Sequence, residues 1–239
     1  MSVKNVRREA VILFTRIPEP GKTKTRMMPY LGPDECAGLH TCFLRDMSRQ
    51  IRKSGADLFV CCTGSGGISG LKKICGRNAV YMEQRGSGLG DRMANAFRDV
   101  FSLGYEKAVL TGSDIPELSS EDIREALDSL DSHDAVTGPS ADGGYYLIGM
   151  KVLHEALFEN KDYGHSGVLE NLEESACLAG ISMCRVRRLQ DMDTREDLAG
   201  FRQRMRSDRR LRSSRTGKYL AEKATVSVIV PVYNEEKTI

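Results

Sequence analysis

Residues 16–26 read RIPEPGKTKTR and follow directly on the apolar run AVILFT, Ala10 to Thr15. An apolar run leading into PGKT has the outline of a P-loop, G-x-x-x-x-G-K-[ST]. There the glycines let successive N–H groups turn toward phosphate oxygens. Here Arg16 stands at the first glycine position, and Pro18 and Pro20 each lack an N–H and fix their own φ. That backbone cannot form the nest. Its side chains can still meet an anion: Arg16, Lys22, Lys24 and Arg26 place four cations within eleven residues. Gly21 beside the prolines argues for a loop of defined shape. Open α/β sheets bind ligands beyond the carboxyl ends of their strands, so the segment reads as a phosphate-binding loop that acts through side-chain cations.

Two acidic segments complement it. In TGSDIPEL, Thr111 to Leu118, Asp114 lies just past an apolar run and well before the next helix, so capping explains it poorly. It reads as a Mg²⁺ or Mn²⁺ ligand, the alternative being a turn-stabilising aspartate. In LQDMDTREDL, Asp191 and Asp193 alternate around Met192, and one of them is expected to face the ligand of Asp114. A Mg²⁺ held by one or two carboxylates and by substrate phosphates needs no more. QRGSGLGDRM carries Gly86, Gly88 and Gly90 as G-x-G-x-G, which is not the dinucleotide fingerprint. It fits a loop whose backbone passes close to a flat base, with Gln84 offering an amide to the base edge; a flexible connection is the alternative.

The elements that must position these residues alternate along the chain. Strand candidates are Val11–Thr15, Asp57–Thr63, Ala79–Met82, Lys107–Gly112, Asp134–Gly138, Tyr145–Met150 and Ile181–Val186. Several are continuous apolar runs, as parallel strands covered on both faces require. Helices are expected from Pro33-Asp34 to about Gly55, from about Gly90 to Phe101, after Ser119 or Ser120, and from Thr194. DAVTGPSADGGYYLIGM leaves no room for a helix between its two strands and predicts a hairpin. The fold class is therefore α/β: a three-layer α/β/α arrangement around a mostly parallel mixed sheet with one antiparallel hairpin strand.

Composition sets the remaining bounds. The chain has 239 residues, 40% hydrophobic and 28% charged, with a formal net charge of +2. It contains no apolar run long enough to span a bilayer, and MSVKNVRREA lacks the apolar core of a signal peptide. Seven cysteines without CxxC spacing read as reduced, structural residues of a cytoplasmic protein. Residues 202–218 hold seven Arg and one Lys against one Asp and no aromatic residue, so a solvated linker is expected there and nucleic acid is an unfavoured partner.

In order, RIPEPGKTKTRM, QRGSGLGDRM, TGSDIPEL, GPSADGGYYLIG and DMDTREDL resemble the nucleotide-diphospho-sugar transferase superfamily with the GT-A, Rossmann-like fold. The resemblance is greatest to its small bacterial glycosyltransferases, relatives of the guanylyltransferases of cofactor biosynthesis, and covers about residues 8–200. It implies that Arg16, Lys22 and Arg26 contact nucleotide phosphates, that Gln84, Gly86 and Gly90 border the base, and that Asp114 and Asp193 hold Mg²⁺ or Mn²⁺. Asp142, Gly143, Gly144 and Tyr145 would line the acceptor or sugar pocket. Gly88 stands where the family pattern has an acidic residue, which leaves the base open. TVSVIVPVYNEEKTI, Thr225 to Ile239, is similar to the start of an inverting GT-A glycosyltransferase. The expected organisation is a transferase domain over 1–206, a basic linker over 207–224, and over 225–239 the beginning of a fused second enzyme, an extra strand or a disordered end.

Two transfer reactions fit. In glycosyl transfer from a nucleoside-diphosphate sugar, a metal steadies the leaving diphosphate and Asp142 is the candidate base for an acceptor hydroxyl. In nucleotidyl transfer, a substrate phosphate attacks a nucleoside triphosphate, and charge neutralisation by groups such as Arg26 dominates. A non-catalytic nucleotide- or nucleic-acid-binding module is the third reading. His165, in DYGHSG, could face the acceptor.

Overall fold

A computed structural model of the chain describes residues 8–64, 67–159 and 161–223. Its centre is a seven-stranded sheet of β1 (Glu9–Arg16), β2 (Asp57–Thr63), β3 (Val80–Glu83), β4 (Lys107–Gly112), β5 (Ala135–Pro139), β6 (Tyr145–Met150) and β7 (Met183–Arg185). The spatial order is β3-β2-β1-β4-β6-β5-β7. Strand β6 runs antiparallel to both β4 and β5, and every other pairing is parallel. The expected hairpin is therefore the single reversal in a mostly parallel sheet.

Successive side chains of a strand point to opposite faces, and here both faces are covered. Val11 and Leu13 enter one apolar layer and Ala10 and Ile12 the other. The first layer packs under α1 (Pro33–Ser54), α2 (Ile68–Cys75) and α4 (Ser120–Ser129). The second packs under α3 (Leu89–Ser102) and α5 (Val168–Leu178). Gly149 of β6 lies between Val109 and Val136 of its two neighbours, whose γ-carbons would stand 2.8 Å from any added Cβ.

Helix starts follow local chemistry. Pro33 opens α1 and Gly55, at φ 85°, closes it. Ser119 with Asp122, and Thr194 with Asp197, form capping boxes for α4 and α6 (Arg195–Ser207). Helices α2 and α5 were not expected from the sequence. Helix α2 has eight residues, with Gly70 inside and only Leu71 and Cys75 buried, while Gly167 gives α5 no side-chain cap.

The expected linker is corrected. Within 207–224 the chain forms α7 (Arg209–Ser213) and α8 (Arg215–Glu222), and Leu211 and Leu220 are buried with Met27, Leu39 and Phe43 in a third apolar cluster. Asp46 of α1 accepts hydrogen bonds from the backbone N–H groups of Arg215 and Thr216 and from the Thr216 hydroxyl. A carboxylate on one helix thus satisfies the first turn of another. The abundant arginines hid the spaced apolar positions that dock these helices. The glycosyltransferase-like 225–239 lies outside the described residues. No helix among the described residues is long and apolar enough to cross a membrane.

Two outcomes follow from this packing. Asp46→Ala should cost about 1–2 kcal/mol through the lost cap, measured by the urea midpoint, and should expose α8 to limited proteolysis; an unchanged midpoint would remove α8 from the folded unit. Gly149→Val should destabilise by about 1–3 kcal/mol through overpacking between β4 and β5.

Candidate active site

The carboxyl ends of β1 and β4 and the β5–β6 hairpin open onto a cleft of about 570 Å³. Of the residues singled out in the sequence, Arg16, Lys22, Lys24, Arg26, Gln84, Asp114, Asp142, Gly144, Tyr145, Asp191 and Asp193 line it. Five separate motifs therefore meet in one place. The first loop has the defined shape its prolines suggested: the buried Thr23 hydroxyl accepts from Glu19 N–H, and Ile17 N–H donates to Thr63 C=O. Arg16 and Arg26 are exposed to the cleft, and Arg16 forms no ion pair among the described residues. Lys22 is also exposed and pairs with Glu19 at 2.7 Å.

Lys24 departs from expectation. Its side chain is 3% exposed, and its Nζ lies 2.7 Å from Asp114 Oδ1, 2.7 Å from Asp193 Oδ1 and 2.6 Å from the Met192 carbonyl. The contact to Asp193 is a hydrogen bond, while the approach to Asp114 is an ion pair without good hydrogen-bond alignment. The ammonium also stands 5.2 Å from the centre of the Phe43 ring. Burial would lower its pKa, but Asp114 and Asp193 together hold it above the ordinary lysine value. In the same way burial would raise the Asp114 carboxyl, and Lys24 and His40 hold it below the usual range. Two hydrogen bonds and an ion pair engage the ammonium, so Lys24 is not free to bind phosphate as the sequence suggested.

This arrangement bears on the expected metal. Among the described residues no three His, Cys, Asp or Glu side chains converge to hold an ion. The two carboxylates expected to ligate one, Asp114 and Asp193, already share the Lys24 ammonium. Asp191 also lines the cleft. Burial first, then the neighbouring Asp142, push its carboxyl up to about 6. As they stand, these residues do not fit a resident divalent ion.

Other expectations are corrected in detail. Gly21, Gly86, Gly90 and Gly143 do not line the cleft. Gly21 makes a turn at φ 79°. Gly86, at φ 145°, packs against Asp91, and a Cβ on Gly90 would stand 2.4 Å from the Phe158 carbonyl. These two glycines serve the close seating of α3, not a base. Both N–H donors of the Gln84 amide bind main-chain carbonyls, of Thr15 and Cys61, which leaves its Oε1 for any ligand. Asp142 Oδ1 accepts from the Ser140 hydroxyl and from Gly144 N–H, a hairpin-stabilising role.

Sequence reasoning missed three contributors. His40 on α1 is buried, with Nε2 3.1 Å from the Thr15 hydroxyl and Nδ1 3.8 Å from Asp114 Oδ1. Burial lowers its pKa. Nothing in a lone helical histidine signalled this. Arg92 lines the cleft from QRGSGLGDRM, and the signal was its place in that motif. Tyr163 joins Tyr145 and His165 at the hairpin end. Both tyrosine hydroxyls are buried without a well-formed hydrogen bond among the described residues, and burial pushes both pKa values up. Lys161 stands close by in sequence, but its Nζ is engaged by Asn171 C=O and the Ser175 hydroxyl.

The chain matches known proteins in sequence family and in fold. Residues 46–165 match a family described as an uncharacterized protein conserved in bacteria, DUF2064. A crystal structure from Desulfovibrio desulfuricans G20, of a protein provisionally described as a nucleotide-diphospho-sugar transferase, shares 33% identity; the alignment covers 90% of this chain and 95% of that one, with a TM-score of 0.85. At the level of fold alone, CMP-2-keto-3-deoxy-manno-octonic acid synthetase in complex with CTP aligns at 11% identity over 84% of this chain and 99% of that one, with a TM-score of 0.55. A cytidylyltransferase from Leptospira borgpetersenii aligns at 13% identity over 90% and 93%, also with a TM-score of 0.55. No curated protein matches in sequence. The family match and the 33% identity across nearly the whole of both chains show that this chain belongs to the DUF2064 family, within the nucleotide-diphospho-sugar transferase superfamily.

Proposed function

We propose that the protein transfers a glycosyl group from a nucleoside-diphosphate sugar to a hydroxyl acceptor. Membership of the superfamily supports the coarser statement, a nucleotide-utilising transferase. The observation that carries the finer one is the polarity of the cleft. Arg16 and Arg26 project from the loop after β1, whereas Asp142 belongs to the β5–β6 hairpin beyond β4, and Asp191, between β7 and α6, lies close enough to Asp142 to feel its charge. The cationic end suits a diphosphate, since guanidinium groups bind its oxygens in pairs. The other end is acidic and holds tyrosine hydroxyls. A phosphorylated acceptor, as nucleotidyl transfer requires, would meet repulsion there, and a neutral hydroxyl would not.

The proposed steps use this chain's own groups. Arg16 and Arg26 hold the diphosphate and stabilise its charge as the bond to the anomeric carbon breaks. Asp191 takes the proton of the attacking hydroxyl; with its carboxyl pushed up to about 6, it is ionised at neutral pH yet basic enough for the task. Asp142 fixes the hairpin and disfavours charge on Asp191.

Thermal-shift titration with nucleoside diphosphates, their sugars and the four triphosphates tests the donor. A diphosphate and its sugar at 100 times the dissociation constant should add about 2.7 kcal/mol, several degrees of Tm. Stabilisation by a triphosphate alone would replace glycosyl with nucleotidyl transfer. With the donor in hand, Asp191→Asn should lower kcat by about 10²–10⁴-fold with little change in donor affinity. The wild-type rate should fall as pH drops below about 6, where Asp191 becomes protonated. A pH-independent rate would remove Asp191 from the base role.

A further inference from the structure

We propose that Lys24 is the resident cation of the site: its ammonium occupies the position between Asp114 and Asp193 and shuts a divalent ion out of that pair. The inference does not rest on the identity of the donor, and its failure would leave the glycosyl-transfer reading standing.

Three observations carry it. First, Nζ has three oxygens at 2.6–2.7 Å from two separate segments: Asp114 Oδ1 beyond β4, and Met192 C=O and Asp193 Oδ1 from the approach to α6. These oxygens face the point where a shared ion would have to bind. Second, the side chain is enclosed, 3% exposed and covered by the Phe43 ring, unlike the neighbouring Lys22 at 68% and Arg26 at 78%. A lysine that merely balanced surface charge would lie in solvent as they do. Third, Lys24 adopts φ 55° and ψ 42°, the one left-handed non-glycine residue among those described. A long side chain adopts that backbone only where its surroundings repay the strain, and here they do so by aiming the side chain into the pair.

The charge balance fits an ammonium. Two carboxylates and one lysine leave a single negative charge, which Arg26, 4.0 Å from Asp193 Oδ2, offsets from the exposed side. The third oxygen is a main-chain carbonyl, drawn to the ammonium by the same segment that carries Asp193. The pair is thus closed by a group of the chain itself.

Mn²⁺ binding followed by electron paramagnetic resonance, on nucleotide-free protein, tests this directly. The wild type should show no stoichiometric site that Asp114→Asn abolishes. Lys24→Met should create one, binding Mn²⁺ at least about tenfold more tightly because the competing charge is gone, and Mn²⁺ should raise the Tm of Lys24→Met but not of the wild type. Adding Asp193→Asn to Lys24→Met should abolish the new site. A stoichiometric wild-type site lost in Asp114→Asn would overturn the proposal, and this arm needs no Lys24 variant to fold. Equal Mn²⁺ affinity in the wild type and a folded Lys24→Met would overturn it too.

Discussion

An ammonium held among three oxygens joins parts of the chain that lie far apart in sequence. Lys24 and Asp193 are separated by 169 positions, and Asp114 stands between them at the exit of β4. A main-chain bond from Met192 N–H to Asp114 C=O, 2.9 Å long, runs alongside. Burying a charge is unfavourable unless it is paired and hydrogen-bonded. The first loop, the β4 exit and the approach to α6 can therefore reach their positions only together. Removing one carboxylate would leave the enclosed ammonium only partly paired. Because Asp114 and Asp193 are themselves 38% and 33% exposed, the cost falls below the roughly 3–5 kcal/mol of a fully buried pair. The cleft inherits its shape from this constraint.

The same constraint divides the labour of the cationic loop. Four cations looked equivalent in RIPEPGKTKTR, yet one is enclosed, one faces Glu19, and the two arginines stay exposed at the cleft, Arg26 at 4.0 Å from Asp193. Arginine is the better residue for that duty, because its planar fork meets two phosphate oxygens at once and keeps its charge. Lysine, a compact point charge with three donors, is the better residue for a socket of three oxygens. The chemistry of each side chain matches where the fold puts it.

Much of this was legible before the structure. Continuous apolar runs marked the parallel strands, the missing helix in DAVTGPSADGGYYLIGM marked the antiparallel reversal, and Ser119 and Thr194 marked their helices through caps. The motif ends converge because carboxyl ends of parallel strands lie on one edge of the sheet. What stayed hidden depended on tertiary pairing. Nothing local distinguishes Lys24 from Lys22, since only the distant Asp114 and Asp193 draw one of them inward. Nor does an arginine-rich stretch announce that Leu211 and Leu220 will find Leu39 and Phe43, or that Asp46 will cap the helix between them.

The glycines carry the last step. In the sequence they looked like places where backbone meets ligand, and in the structure backbone meets backbone. At Gly143, φ is 91°, and an added Cβ would stand 2.1 Å from the Ser166 carbonyl. Its own carbonyl accepts from Leu169 N–H at the start of α5. That contact seats the 161–168 segment against the hairpin and brings Tyr163 and His165 to the acidic end of the cleft. Gly90 acts likewise from α3, close to Phe158 and Tyr163. A side chain at either position would push Tyr163 and its loop away from Tyr145. That end of the cleft is therefore built by the close approach of three backbones. It and the cationic loop after β1 sit on separate structural supports, joined through β4 and the Asp114 carboxylate at its exit.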